Sequence, residues 1–412
     1  MTVSSGVLGI TRGEASRTRD AVATQRRWFG VGRSAHPDPR IAGAQATREA
    51  LAGRSASLVT VFCPSEFDFD AMLDGISAEA AGVPLIGCSG IAHLAPGGPV
   101  EPCVVVSALG GEGFEVKTSV ATNVSDGQRA AGERVAETVE TLASEHKLLL
   151  LLADGLTGEQ HELVRGAYSV AGATVPLAGG CAADDFHWEN TFQFYGDADG
   201  VRVLRDAMVA AAIGSDAPIG VGVAHGWQKT GEPMVATKSA GGRVDELDGE
   251  PALDVFAGRI GVDRSVAADE QAFMELALKR PLGLSRRSGE DIRVIHAGNV
   301  ESGSLQCIAD VPQGALLWMM ESDRDGLLRS VDDAYADAVA PLDDAQPLGL
   351  LAFDCGARYL FLGADGVADE VSRLVDKAGG APFAGFYTMG EIARWRGAQG
   401  MHHLTLVLVA FA

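Results

Sequence analysis

The chain is poor in the residues that would mark a disulfide scaffold, a zinc site or a stacking surface. Its six cysteines (Cys63, Cys88, Cys103, Cys181, Cys307 and Cys355) are scattered over 412 residues with no CxxC spacing. That pattern reads as reduced thiols, not as a disulfide framework or a structural metal site. Five Trp and five Tyr are too few for a platform that stacks single-stranded nucleic acid. Basic residues are outnumbered, 33 Lys and Arg against 55 Asp and Glu. The net charge of -22 opposes binding to nucleic acid or to an anionic membrane. No apolar run reaches the length of a membrane span, and no Gly-rich loop ends in the Lys-Ser/Thr of a phosphate loop. The first 35 residues carry six Arg and two acids without an uncharged apolar stretch, so no secretory signal is expected there. Residues 1–28 are expected to form a mobile tail, and the protein is expected to be cytoplasmic.

What is present is a unit that occurs three times. Each copy has an apolar strand, a polar turn, a helix, then a small-Pro-apolar-small-Gly step into a loop. The copies run from Leu58 to Gly90, from Leu148 to Cys181 and from Leu350 to Tyr387. Their strands are continuous apolar runs, as for strands covered on both faces. In the first helix Phe69, Met72, Leu73, Ile76 and Ala80 share a face. In the third, Val367, Val371, Leu374, Val375 and Ala378 do so, with Asp369, Glu370, Arg373 and Asp376 expected outward. A further amphipathic helix is expected over Leu327 to Val339, ended by Pro341. Segments 192–196, 201–204 and 207–213, broken by Gly and Asp, read as antiparallel strands. Residues 259–289 carry no readable pattern. The expected class is α/β, with two domains built from repeated strand-helix-strand units and additional antiparallel strands. The boundary is placed near residue 235. Ligands in such folds sit at strand ends.

Several residues at those ends carry possible chemistry. His225, just before Gly226-Trp227, is a candidate haem ligand or a hydrogen-bonding residue that closes the domain junction. His402 is a second candidate, with His403 expected on the opposite face of its strand. Cys88 with Ser89, Cys181 and Cys355 lie in or beside the three repeat loops, as activated thiolates or as small buried residues. Asp184 and Asp185, after Gly179-Gly180, are expected either to hold an ammonium group or hard cation, or to cap the next segment. Tyr387, Thr388, Glu391 and Arg358 offer hydroxyls, an anion and a carboxylate clamp. Arg358 and Glu391 are equally expected to pair with each other.

Nine segments in order resemble the FIST family, a two-part sensory module of signal-transduction proteins. They are Gly30 to Ser34 with Asp38-Pro39, Pro84 to Gly90, Gly179 to Asp185, Val221 to Trp227 and Glu246 to Ala252. Asp310 to Gly314, Cys355 to Arg358, Gly385 to Ile392 and Met401 to Leu406 complete the set. The chain departs from the family pattern at His403, where an Asn is usual, and at Ser89 to His93. Residues 259–289 match poorly. The resemblance implies an N-terminal domain over 29–235 and a C-terminal domain over 236–412. It implies a small ligand such as an amino acid, held at a site that would include Trp227, or haem in a nitric-oxide sensor with His225 as the metal ligand. It also implies a separate output partner such as a histidine kinase or a cyclic-dinucleotide enzyme. An enzyme using a loop cysteine and a protein-binding adaptor are the alternatives from other classes.

Overall fold

Residues 1–2, 26–98, 102–286, 289–394 and 400–412 are described by the computed structural model. Most of the expected tail lies outside the described residues. The three copies are the centres of three longer repeats of one topology. The first runs strand Trp28–Ser34, helix Pro39–Leu51, strand Leu58–Pro64, helix Phe69–Glu79 and strand Leu85–Gly90. A short crossing strand, His93–Leu94, and a returning strand, Val104–Gly110, complete it. The second follows the same order through Phe114–Thr122, Gln128–Ala136, His146–Ala153, Gln160–Ala171, Leu177–Cys181, Gln193–Asp197 and Ala207–Ser215. The third has Ile219–Ala224, Arg324–Val339, Gly349–Cys355, Gly356–Ala378, Phe383–Thr388, Glu391–Arg394 and Leu406–Phe411. Asp38, Asp68 and Asp323 cap three of the helices through their carboxylates, which satisfies N–H groups that the helix leaves open.

Each repeat forms its own sheet, in which the returning strand lies between the first strand and the parallel central pair. The crossing strand is exchanged. That of the first repeat pairs with Phe383–Thr388 of the third, that of the second with Leu85–Gly90 of the first, and that of the third with Leu177–Cys181 of the second. The exchange closes into a ring. The three sheets enclose one apolar interior that includes Leu58, Phe62, Leu148, Leu150, Leu152, Leu351 and Phe353. Phe62 stacks on Phe386 of the third repeat at 4.8 Å, and Phe29 on Phe411 at 5.7 Å. The alternate residues, such as Leu149 and Leu151, face the outer helices. Both faces of each central strand are thus buried, and truncating one of these leucines to Ala would cost about 2–5 kcal/mol. The small-Gly step has a steric cause. A Cβ at Gly87, Gly179 or Gly385 would collide with the Val61, Leu151 or Ala352 carbonyl of the neighbouring parallel strand.

The third repeat is interrupted. Between its first strand and its first helix the chain leaves the ring and builds a lobe from Gln228 to Glu321. The lobe's sheet has the order 289–293, 282–286, 316–321, 228–240, 243–247, 304–307, 295–299. Helices Ala252–Ile260 and Glu270–Ala277 accompany it, and Phe256 and Phe273 belong to a core of its own. The boundary expected near residue 235 lies within the strand Gln228–Ala240. Ile292, Val294 and Met320 of the lobe join the apolar cluster beneath the third repeat's helices, which fastens the lobe to the ring.

Candidate ligand site at the neck of the lobe

The strand Ile219–Ala224 runs out into His225-Gly226-Trp227, where the chain passes into the lobe. Gly226 has φ 75°, and a Cβ there would strike the Gly326 carbonyl, so two glycines let the outgoing and returning chains touch. Ser322 Oγ donates to the Gly226 carbonyl at 2.8 Å and ties the neck. Beside it opens a cavity of about 420 Å³. One wall comes from the ring, with Val223, His225, Arg329, Asp333, His402 and Thr405, and the other from the lobe, with Gln228, Glu290, Asp291 and Ile292.

Glu290 is paired with Lys229 at 2.5 Å and Asp291 with Arg286 at 2.9 Å. The Trp227 backbone N–H donates to His225 Nδ1 at 2.9 Å, and His402 Nε2 lies 2.9 Å from the Ala393 carbonyl. Burial brings the His225 pKa down to about 4, against the pull of Glu290 and with the help of Arg358. Burial also lowers His402, and takes His403, on the side away from the cavity, down to about 3. The buried Trp227 indole N–H has no hydrogen-bond partner among the described residues, and its ring meets Phe361 edge-on at 5.6 Å.

Behind the His225 backbone lies a sealed charged network. Arg358 is completely buried and donates to Asp354 at 2.6 Å, to Glu370 at 2.5 Å and to Ser330 Oγ at 3.0 Å. Its Nη1 also reaches the His225 carbonyl at 3.3 Å. Tyr387 donates its hydroxyl to Glu370 at 2.5 Å. Burial pushes Asp354 well above the ordinary carboxylate range, against the Arg358 charge, and raises Tyr387. Burial opposes the charge on Arg358, but Asp354 and Glu370 outweigh it and hold the guanidinium protonated. Glu370, expected outward on its helix, is only 3% exposed: Arg358, near the start of the same helix and on the other side of the Gly363 kink, supplies the counter-charge.

Glu391 belongs to a different network. It accepts from Thr388 Oγ1 at 2.8 Å and from the Thr405 hydroxyl at 2.9 Å. Burial lifts its pKa to about 7 in spite of these bonds. The pairing of Arg358 with Glu391 is therefore corrected, because nearer carboxylates and hydroxyls claim both. The set Arg358, Tyr387, Thr388 and Glu391 is buried in two separate clusters.

The remaining expected residues are also closed in. Ser89 is buried and bonds Ala183 O and Phe192 N across the repeat junction. A Cβ at Gly180 would collide with Thr388, so the loops of the second and third repeats are in contact. Asp184 accepts from the backbone N–H groups of Trp188, Glu189 and Asn190, which is the capping role; Asp185 has φ 54° in that turn. Cys88, Cys181 and Cys355 are buried, and burial raises all three thiols, the opposite of nucleophile activation. Of the expected residues, His225, Trp227 and His402 line the cavity. Glu290, Asp291, Arg329, Asp333 and Thr405 were missed. Glu290 and Asp291 lie just past the unreadable stretch, Arg329 and Asp333 on an ordinary-looking helix face, and Thr405 in the closing segment.

His225 does not fit the role of haem ligand in this arrangement. Nδ1 of His225 accepts a backbone hydrogen bond, so the neutral ring carries its proton on Nε2 and offers the cavity no lone pair. The walls are charged, not an apolar slot.

The fold is an α/β ring of three repeats with a polar cavity between the ring and an inserted lobe. The chain belongs to the FIST family: the FIST N domain matches residues 57–250 and the FIST C domain residues 252–394. FIST domains are in general small-ligand sensory domains of signalling proteins. The chain is 28% identical over 401 residues to the uncharacterized protein Rv0628c of Mycobacterium tuberculosis, covering 93% of this chain and 99% of that one. It is 27% identical over 403 residues to the uncharacterized protein Mb0898c of Mycobacterium bovis, covering 93% and 98%. Among solved structures, a chorismatase aligns over 95% of this chain and 100% of its own at 11% identity, with a TM-score of 0.35. At those values the likeness bears on neither fold nor chemistry. No described helix is long and apolar enough to cross a membrane.

Proposed function

We propose that the chain is a sensor that holds a small organic ligand in the neck cavity and reports it to a separate signalling protein. The observation that carries this reading is the origin of the cavity. The corresponding junctions of the first and second repeats, between 34 and 39 and between 122 and 128, are short connections, whereas the third repeat opens there to admit the lobe. A ligand touching both walls would favour one placement of the lobe, and a partner would read that population. An amino acid or similar metabolite is compatible with Arg329 and Asp333, which stand four residues apart on one helix and offer opposite charges at the rim. A histidine kinase or a cyclic-dinucleotide enzyme would suit as the partner, in the cytoplasm.

The test is a thermal-shift screen of metabolites on the protein and on Ala224→Trp, which fills the cavity from the end of its strand. Ligands selective for the native state raise its stability by RT ln(1 + [L]/Kd). At least one metabolite should shift the wild type and leave the filled variant unmoved. Equal shifts in both would place the ligand elsewhere.

A further inference from the structure

Within the site proposed above, and resting on that reading, the two imidazoles form an unlike pair. The Trp227 backbone N–H occupies Nδ1 of His225, which leaves Nε2–H as the group His225 can present. The Ala393 carbonyl takes the Nε2 proton of His402, which leaves Nδ1 as an acceptor. Both rings are thus Nε2–H tautomers of residues that line the same cavity, with a donor left over on one and a lone pair left over on the other. Each is fixed by a backbone group, so neither can exchange roles without losing that bond. The two wall carboxylates nearest the lobe hairpin are already matched by Lys229 and Arg286, so they add no unmatched charge to that wall.

We propose that the His225–His402 pair recognises a neutral amide edge, the primary carboxamide of a small metabolite: its C=O accepts from His225 Nε2–H and its N–H donates to His402 Nδ1. A carboxylate would set a lone pair against the His402 lone pair. An ammonium would set a donor against the His225 donor. Either mismatch strands a desolvated group, which is how a polar site discriminates between ligands of one shape. Burial keeps both rings neutral near pH 7, which preserves the pattern.

The experiment compares benzamide, benzoate and benzylamine by ligand-observed NMR on the full chain. Benzamide should bind at least about 10-fold more tightly than either analogue, the scale expected when a buried polar group loses its partner. His225→Phe and His402→Phe should each abolish that preference. Because each substitution also removes a backbone hydrogen bond at the neck, imidazole ¹⁵N shifts of the wild type give a second readout. Benzamide should move Nε2 of His225 and Nδ1 of His402 more than the two backbone-bonded nitrogens. Equal binding of benzoate or benzylamine, binding of none of the three, or a preference that survives both substitutions would overturn the amide assignment. If the metabolite screen finds a ligand blocked by Ala224→Trp that carries no amide, the site stands and only its chemical class falls. If no metabolite is blocked, the site falls as well.

Discussion

The helix pairs of the second and third repeats occupy the same place in their repeats but meet by opposite means. In the second, Gly132 and Gly166 press reciprocally on the backbone of the facing helix, and Gly43 and Gly75 do the same in the first. In the third, the helices are separated by Arg358 and its partners. Glu370 stands as far beyond the Gly363 kink (364 to 370) as Gly75 and Gly166 stand from their helix starts (69 to 75, 160 to 166). Sheet register identifies two further exchanges: Asp354 opposite Tyr387 takes the place of Cys63 opposite Ser89 and of Ala153 opposite Cys181. Small residues at three repeated positions have become a buried charged network, and its guanidinium bonds the carbonyl of the residue that lines the cavity. A sequence departs from its own internal rule where something other than packing is being served. The third repeat departs from it at the neck.

That contrast can be broken at the guanidinium. Arg358→Met leaves Asp354 and Glu370 buried without a counter-charge and should cost about 3–5 kcal/mol in denaturant unfolding. Adding Asp354→Asn and Glu370→Gln should recover most of the loss, since no ion is then stranded.

The crossing strands give the next test. His93, Gln193 and Glu391 occupy one register position, opposite Phe386, Cys88 and Gly180, and all three are buried. Burial lifts Glu391 from the ordinary 4.5 to about 7, so between those values the folded state holds a proton that the unfolded chain has lost. The Glu391 contribution to stability therefore falls as pH rises from about 4.5 to 7 and is flat above, by on the order of 3 kcal/mol. His225 acts with the opposite sign: lowered from 6.5 to about 4, its contribution rises with pH through that interval. Glu391→Gln, which imports the residue of the second repeat, should remove only the falling component. Its stability relative to wild type should climb between pH 4.5 and 7 and then level off.

Gly166→Ala should cost about 1–3 kcal/mol, because the Cβ meets the Arg129 carbonyl and neither backbone can yield cheaply. The smallest effect belongs to Arg324→Ala. Its ion pair with Asp369 joins the third helix pair at the exposed surface and is worth about 0–1 kcal/mol, less in high salt.

The sequence made the centres of the repeats legible because both strand faces are apolar and the closing glycine has a steric cause. The exchange of crossing strands was not legible, since each pairs with a strand from another repeat and the pairing leaves no local signal. Glu370 was misread through its charge. It lies three residues after Val367 and four before Leu374, the spacing of the buried face, and only the partner Arg358 explains its presence there. Residues 259–289 gave no pattern for a similar reason: the helix Glu270–Ala277 buries only Phe273 and Ala277, and strand Leu282–Arg286 is completed by Leu316–Glu321, far along the chain. At the site, His225, Trp227 and His402 were visible as unusual residues at strand ends. The lobe carboxylates had no such context.

Backbone hydrogen exchange with and without the metabolite that gives the largest thermal shift would test the central claim most directly. The third-repeat junction is predicted to slow, at 223–228, 289–292 and 402–405, while 34–38 and 122–127 stay unchanged. Slowing at those first- and second-repeat junctions, or none at the neck, would contradict the account.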